Sequence, residues 1–168
     1  MQTCTWSGLV LAICLLTPSA FGNTGEEAAG WHNDCSTLKG WYCSTENPTF
    51  EAKVEQVEPS VIKVTQEGKD GWGKAAVVVK DVNLDNTSRL EVKVSRVDKD
   101  SAYQVGVASL DWTQFFVVVP RSSADGIKVG DIKAATGWTG VKDFNVVVIV
   151  EGKGKGSYFD ELKIVGGK

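Results

Sequence analysis

Short apolar runs broken by Gly, Asp, Asn and Pro make up most of the sequence, and their period is two. From Arg89 to Val97 the alternation is strict: Leu90, Val92 and Val94 face one way, Glu91, Lys93 and Ser95 the other. That spacing predicts a strand with one buried and one wetted face. Tyr103, Val105 and Val107 repeat it after the turn Asp98-Lys99-Asp100. Phe50, Ala52 and Val54 share one face of a strand over 50–57, and a further strand over 61–65 follows the break at Pro59. Lys74 to Val82, Phe115 to Val119 and Phe144 to Val150 are apolar on both faces, which predicts strands interior to a sheet. Tyr158 to Val165 closes the set, with Leu162 and Ile164 alternating. The run Gly152-Lys153-Gly154-Lys155-Gly156 reads as a hairpin between the last two strands.

Eight or nine strands of this kind, with no sustained helical period, predict an all-β chain. One sheet alone would leave an apolar face in water, so the expected fold is a two-sheet antiparallel β-sandwich.

The 168 residues fit one domain behind a short leader. Residues 1–22 lack Asp, Glu, Lys and Arg, contain the apolar run Leu9 to Leu16, and end in Ala20-Phe21-Gly22. They read as a signal peptide cleaved before Asn23, although the terminal amine is the only positive charge ahead of the apolar run. A buried N-terminal helix is the other reading, and the run is too short for a membrane span. Residues 23–30 are expected to be a flexible tail and 31–168 the sandwich. The expected location is secreted or periplasmic. Cys4 and Cys14 leave with the leader, and Cys35 and Cys43 remain as an even pair in an oxidising compartment. They predict a disulfide worth about 2–3 kcal/mol. A net charge of −3 offers no broad basic field, which argues against nucleic acid or anionic lipid as partners.

No catalytic set assembles around the single histidine, His32. Asp70, Asp111, Asp125 and Asp131 all fall in expected turns, where carboxylates serve the backbone. The chain is therefore read as a non-enzyme. Six tryptophans are many for this length. Trp41 is expected in the core or at one end of the sandwich. Trp72, Trp112 and Trp138 lie in expected loops, where an indole either caps the sandwich or presents its face to a sugar ring. Asp160, in the closing strand, needs a partner if it is not to be costly. Asp34, near the first strand, is its expected neighbour, with calcium, a salt bridge or loop amides as the candidate partners.

Trp41 after Gly40, Leu90-Glu91-Val92-Lys93-Val94, Trp112-Thr113-Gln114-Phe115, Gly137-Trp138-Thr139-Gly140 and Tyr158-Phe159-Asp160-Glu161-Leu162-Lys163-Ile164 occur in a familiar order. Together, over about residues 31–165, they resemble the galactose-binding-like jelly rolls. That superfamily includes many non-catalytic carbohydrate-binding modules of secreted glycosidases and lyases. The resemblance implies a jelly-roll sandwich with a structural calcium, and Asp160 matches the acidic position of its closing strand. It implies a sugar bound on a concave sheet face or by end loops. Trp72, Trp112 and Trp138 would be the aromatics, with Tyr103 and Arg121 in support. Such modules commonly serve a catalytic domain, and none is read here. The expected function is a secreted, non-catalytic domain recognising a polysaccharide. The alternative is a structural or adhesive extracellular domain that binds a protein or cell-envelope partner, and a small lyase or glycosidase is the third reading.

Overall fold

The computed structural model describes residues 30–43, 50–69 and 71–166. The expected signal peptide, the tail up to residue 29 and Asp70 lie outside the described residues.

Eleven strands and one helical turn follow in order. They are β1 (Trp31–Asn33), β2 (Trp41–Cys43), β3 (Ala52–Glu58), β4 (Val61–Gln66), β5 (Trp72–Asn83), β6 (Arg89–Val97), β7 (Ala102–Ala108), β8 (Phe115–Ser122), β9 (Gly126–Asp131), α1 (Ile132–Thr136), β10 (Val141–Glu151) and β11 (Gly156–Val165). They form two antiparallel sheets. Sheet A runs β3-β4-β11-β6-β9, with β1 also paired to β11, and sheet B runs β2-β5-β10-β7-β8. The all-β, two-sheet sandwich is as expected.

Alternation builds the space between the sheets. Leu90, Val92 and Val94 of β6 and Phe159, Leu162 and Ile164 of β11 meet Val77 and Val79 of β5, Val105 and Val107 of β7, and Phe144, Val146 and Val148 of β10. Burying each such side chain contributes about 1.5–3 kcal/mol before chain entropy is counted. A second buried cluster lies on the opposite face of sheet B and consists of Ala76, Ala108, Val147 and Ile149.

Several expectations are corrected here. The chain from Gly152 to Gly156 is not a hairpin, because it passes from β10 of sheet B to β11 of sheet A. Three strands went unread. Two of them span only three residues each, and β9 alternates weakly at the edge of sheet A. The helical turn is too short for a 3.6-residue period, yet it is capped at both ends. Asp131 accepts from the Ala134 N–H at 2.8 Å, and Gly137 closes the turn at φ 72°. Gly30, assigned to the tail, donates its N–H to the Ile164 carbonyl at 2.8 Å.

Cys35 and Cys43 are both free thiols, so the expected disulfide is absent. Cys35 follows β1 of sheet A and is fully buried in the core, whereas Cys43 ends β2 of sheet B, opposite Ala75 of β5. The ladder with β5 holds Cys43, whereas Cys35 lies in a bend after β1, where its N–H donates to Asn33 Oδ1 at 2.9 Å.

Candidate functional site

Sheet B has one face in the core, and register places the residues of its other face in rows. Val78, Asn145, Ala108 and Phe115 form one row across β5, β10, β7 and β8. Tyr42, Ala76, Val147, Gly106 and Val117 form the next, beginning on β2. Lys74, Ile149 and Gln104 form a third, and Trp72, Glu151 and Ala102 a fourth. Small residues occupy the middle of this face and large ones its margins.

The margins fold over the middle. A Cβ on Gly106 would come within 2.7 Å of the Phe115 ring, so that ring lies directly against the strand. Tyr42 donates its hydroxyl to Asn145 Oδ1 at 2.7 Å, and Asn145 Nδ2 donates to the Ser109 carbonyl at 3.1 Å. Burial pushes the Tyr42 phenol up, which keeps it a donor at neutral pH. The Trp112 ring meets the Tyr42 ring edge to face at 6.3 Å. This packing covers Ala76, Ala108, Val147 and Ile149 but leaves the rings themselves open. Tyr42, Trp72, Val78, Trp112, Phe115 and Val117 are each 37–43 % exposed.

Trp112 lies in the β7–β8 loop with φ 60°, a left-handed conformation that costs a non-glycine residue on the order of 1 kcal/mol. The loop offsets that strain with its own hydrogen bonds. Trp112 N–H donates to the Ser109 carbonyl at 2.9 Å, and Asp111 accepts from the Thr113 N–H at 3.1 Å and from the Thr113 hydroxyl at 2.9 Å. Asp111 thus serves the loop backbone, as its turn position implied.

The five sugar-site candidates divide. Trp72 and Trp112 share the outer face of sheet B, Trp72 as the first residue of β5 and not in a loop as expected, and Arg121 joins them there through Glu151, to which its Nε donates at 2.8 and 3.0 Å. Tyr103 does not join them. It is fully buried, edge to face with Phe159 at 5.7 Å, and its hydroxyl donates to the Ala124 carbonyl, so no surface is left for a ligand. Trp138 packs between Phe116 and Phe144 at 5.6 and 5.8 Å and closes one end of the core. Sequence reasoning missed Tyr42, Phe115 and Asn145. Tyr42 sits in a three-residue strand, and Phe115 read as the start of an interior strand, whereas β8 is the edge strand of sheet B.

Asp34 and Asp160, the expected calcium pair, line one cleft of about 390 Å³ on the outer side of sheet A, together with His32, Ser60, Lys93 and Glu161. β1 pairs with β11, so the first and last strands are neighbours as expected. The residues do not fit calcium. The Lys93 ammonium stands 3.0 Å from Asp160, supplying the positive charge itself. Asp34 accepts from the Ser36 N–H at 3.0 Å, and its hydrogen bonds to Ser36 hold its carboxyl below the usual range. Among the described residues no group of three or more His, Cys, Asp or Glu could hold a metal ion. Burial, reinforced by Asp160, Asp34 and Glu161, pushes the neighbouring Cys35 thiol up to about 12.

No family model and no curated protein matches the sequence. Several solved structures similar to this chain are carbohydrate-binding modules. One is the family 11 carbohydrate-binding module from Clostridium thermocellum in complex with a β-1,3-1,4-mixed-linked tetrasaccharide. It is 13 % identical at a TM-score of 0.48, over 80 % of this chain and 93 % of that one. Another is TmCBM61 in complex with β-1,4-galactotriose, 17 % identical at a TM-score of 0.46, over 79 % of this chain and 92 % of that one. A third is chitosan-binding module 1 of a chitosanase/glucanase from Paenibacillus sp. IK-5, 17 % identical at a TM-score of 0.40, over 80 % of this chain and 99 % of that one. At this level of likeness nothing about ligand or chemistry follows for this chain, and its fold stands on its own two sheets.

Proposed function

We propose that the chain is a non-catalytic, extracytoplasmic carbohydrate-binding domain that receives a polysaccharide on the outer face of sheet B. One observation carries this reading: seven of the twelve large hydrophobic side chains exposed among the described residues lie on that face or in the loop at its end. A contiguous apolar patch of this kind marks a recognition surface. Its rings are held in place by packing and by the Tyr42–Asn145–Ser109 hydrogen bonds, so little order has to be created on binding. Flat aromatic faces beside amide donors suit pyranose rings, which offer apolar C–H faces and a rim of hydroxyls. Trp72 and Trp112 flank the face, and Gln104 and Arg121 supply polar contacts, whereas Asn145 is buried and holds the Tyr42 ring in place.

The same face supports the non-catalytic reading. Glu151 is the one carboxylate in its four rows, and the Arg121 guanidinium holds it, whereas glycoside hydrolysis needs two free carboxyl groups facing one bond. Among the described residues no helix is long and apolar enough to cross a membrane.

Affinity electrophoresis of the domain from Asn23 onward against a panel of soluble polysaccharides tests the proposal. Retardation by one glycan class, cut at least about tenfold in Trp112→Ala and Trp72→Ala with an unchanged melting midpoint, is the expected result. Migration unaffected by every polymer, with particle size rising with concentration, would instead identify an adhesive domain.

A further inference from the structure

Lys74 heads one row of the candidate face, two residues from Trp72 on the same strand and in the row next to that of Tyr42. Its ammonium lies 4.0 Å from the centre of the Phe50 ring and 5.8 Å from that of Phe115. Among the described residues it makes no ion pair, and it is half-buried. The nearby carboxylate in these rows, Glu151, is already committed to Arg121. The face therefore carries one uncompensated positive charge, although the chain as a whole carries −3.

A polymer lying across Trp72 and the Tyr42–Trp112 pair has to pass over Lys74. A neutral polymer would strip water from the ammonium and return only hydroxyl contacts, which costs free energy. A negatively charged group at hydrogen-bond distance would return a charge-assisted bond in a partly dry setting. Resting on the polysaccharide reading above, we propose that the ligand is an anionic glycan whose acidic group is received by Lys74. The ring contacts are consistent with this, since aromatic faces hold a cation in position without neutralising it. Burial alone shifts the Lys74 ammonium, and it shifts it downward; no carboxylate restores it.

The test uses one polymer backbone in two charge states: polygalacturonate and its methyl ester, compared by affinity electrophoresis and calorimetry. A sulfated galactan and its desulfated form make a second pair, which tells carboxylate from sulfate ester. The expected result is binding to the acidic member of one pair about tenfold tighter than to its neutral partner. That preference should vanish in Lys74→Gln and persist in Lys74→Arg, with both variants melting near the parent. Equal binding of acidic and neutral members, lost in Trp112→Ala, would overturn the anionic assignment and leave the polysaccharide reading intact. A preference for the acidic member that survives in Lys74→Gln would overturn it as well. No binding to either pair or to any neutral polymer would overturn the polysaccharide reading itself.

Discussion

On the outer face of sheet A, Arg89, Glu91, Lys163, Glu161 and His32 form a run of ion pairs across three strands. Lys163 stands 3.1 Å from Glu91, and His32 stands 2.9 Å from Glu161. Lys93 pairs with Asp160 beside them, and Lys63 with Asp98. The outer face of sheet B has the same strand geometry but carries exposed rings, buried small residues and one unmatched ammonium. On the first face Glu91 has Lys163 and Asp160 has Lys93 as opposite neighbours, so a charged partner would gain little there, and Ile127 and Val129 stand exposed only at its β9 edge. The second leaves its apolar area and its charge open to whatever can cover both. Two faces of one sandwich, built by the same alternation, thus differ in whether their side chains find partners within the chain.

Changes at single residues can break this contrast. The largest effect is expected for Gly106→Val, because a Cβ there would meet the Phe116 carbonyl oxygen at 2.5 Å as well as the Phe115 ring. The aromatic margin of sheet B would have to lift, costing about 3 kcal/mol in urea titration and removing polysaccharide binding. Asp98→Asn is expected to cost about 1–2 kcal/mol with no change in binding, since Asp98 also accepts from the Gly156 N–H at 3.1 Å. Burial works against the Asp98 charge, but Lys63 and the Gly156 N–H outweigh it and hold the carboxyl below its ordinary value. A group depressed on folding stabilises fully above its ordinary value and loses that contribution as the pH falls through the depressed one. Melting midpoints followed into acid should therefore fall less steeply in Asp98→Asn than in the parent. Glu161→Gln should move the midpoint by less than about 0.5 kcal/mol equivalent and leave binding untouched, as expected of one member of a wetted charge network. The smallest effect concerns the cleft holding Asp34 and Asp160: midpoints in calcium and in chelator should coincide. A rise with calcium would show that Lys93 yields its place.

Much of this was legible in the sequence where a single period ruled. Arg89 to Val97 is the strand its alternation drew, and the doubly apolar run ending in Val150 is an interior strand of sheet B. Asp34 and Asp160 line one cleft, as the jelly-roll pairing of first and last strands implies. What escaped was decided by tertiary contact. Trp112 and Trp138 have similar polar, loop-like surroundings in the sequence, yet one is exposed and the other is wedged between Phe116 and Phe144. A run apolar on both faces, such as Ala75 to Val79, cannot say which of its faces meets a second sheet, so the candidate face was hidden there. The pairing of Cys35 with Cys43 rested on their even number, and number says nothing of where the fold puts each residue.

The fully buried Cys35 gives the sandwich a clock. Its thiol is walled off by the core, and that burial, reinforced by the carboxylates around it, pushes the thiol toward its protonated form, so the folded molecule offers little thiolate to an alkylating reagent. Reaction has to wait for the chain to part at the β1–β11 seam or to unfold altogether. When reclosing is faster than the chemistry, the labelling rate counts the fraction of molecules open at any moment. A mass shift at Cys35, followed over hours under native conditions, would report how often the first strand leaves the last, with and without a polysaccharide on the opposite sheet.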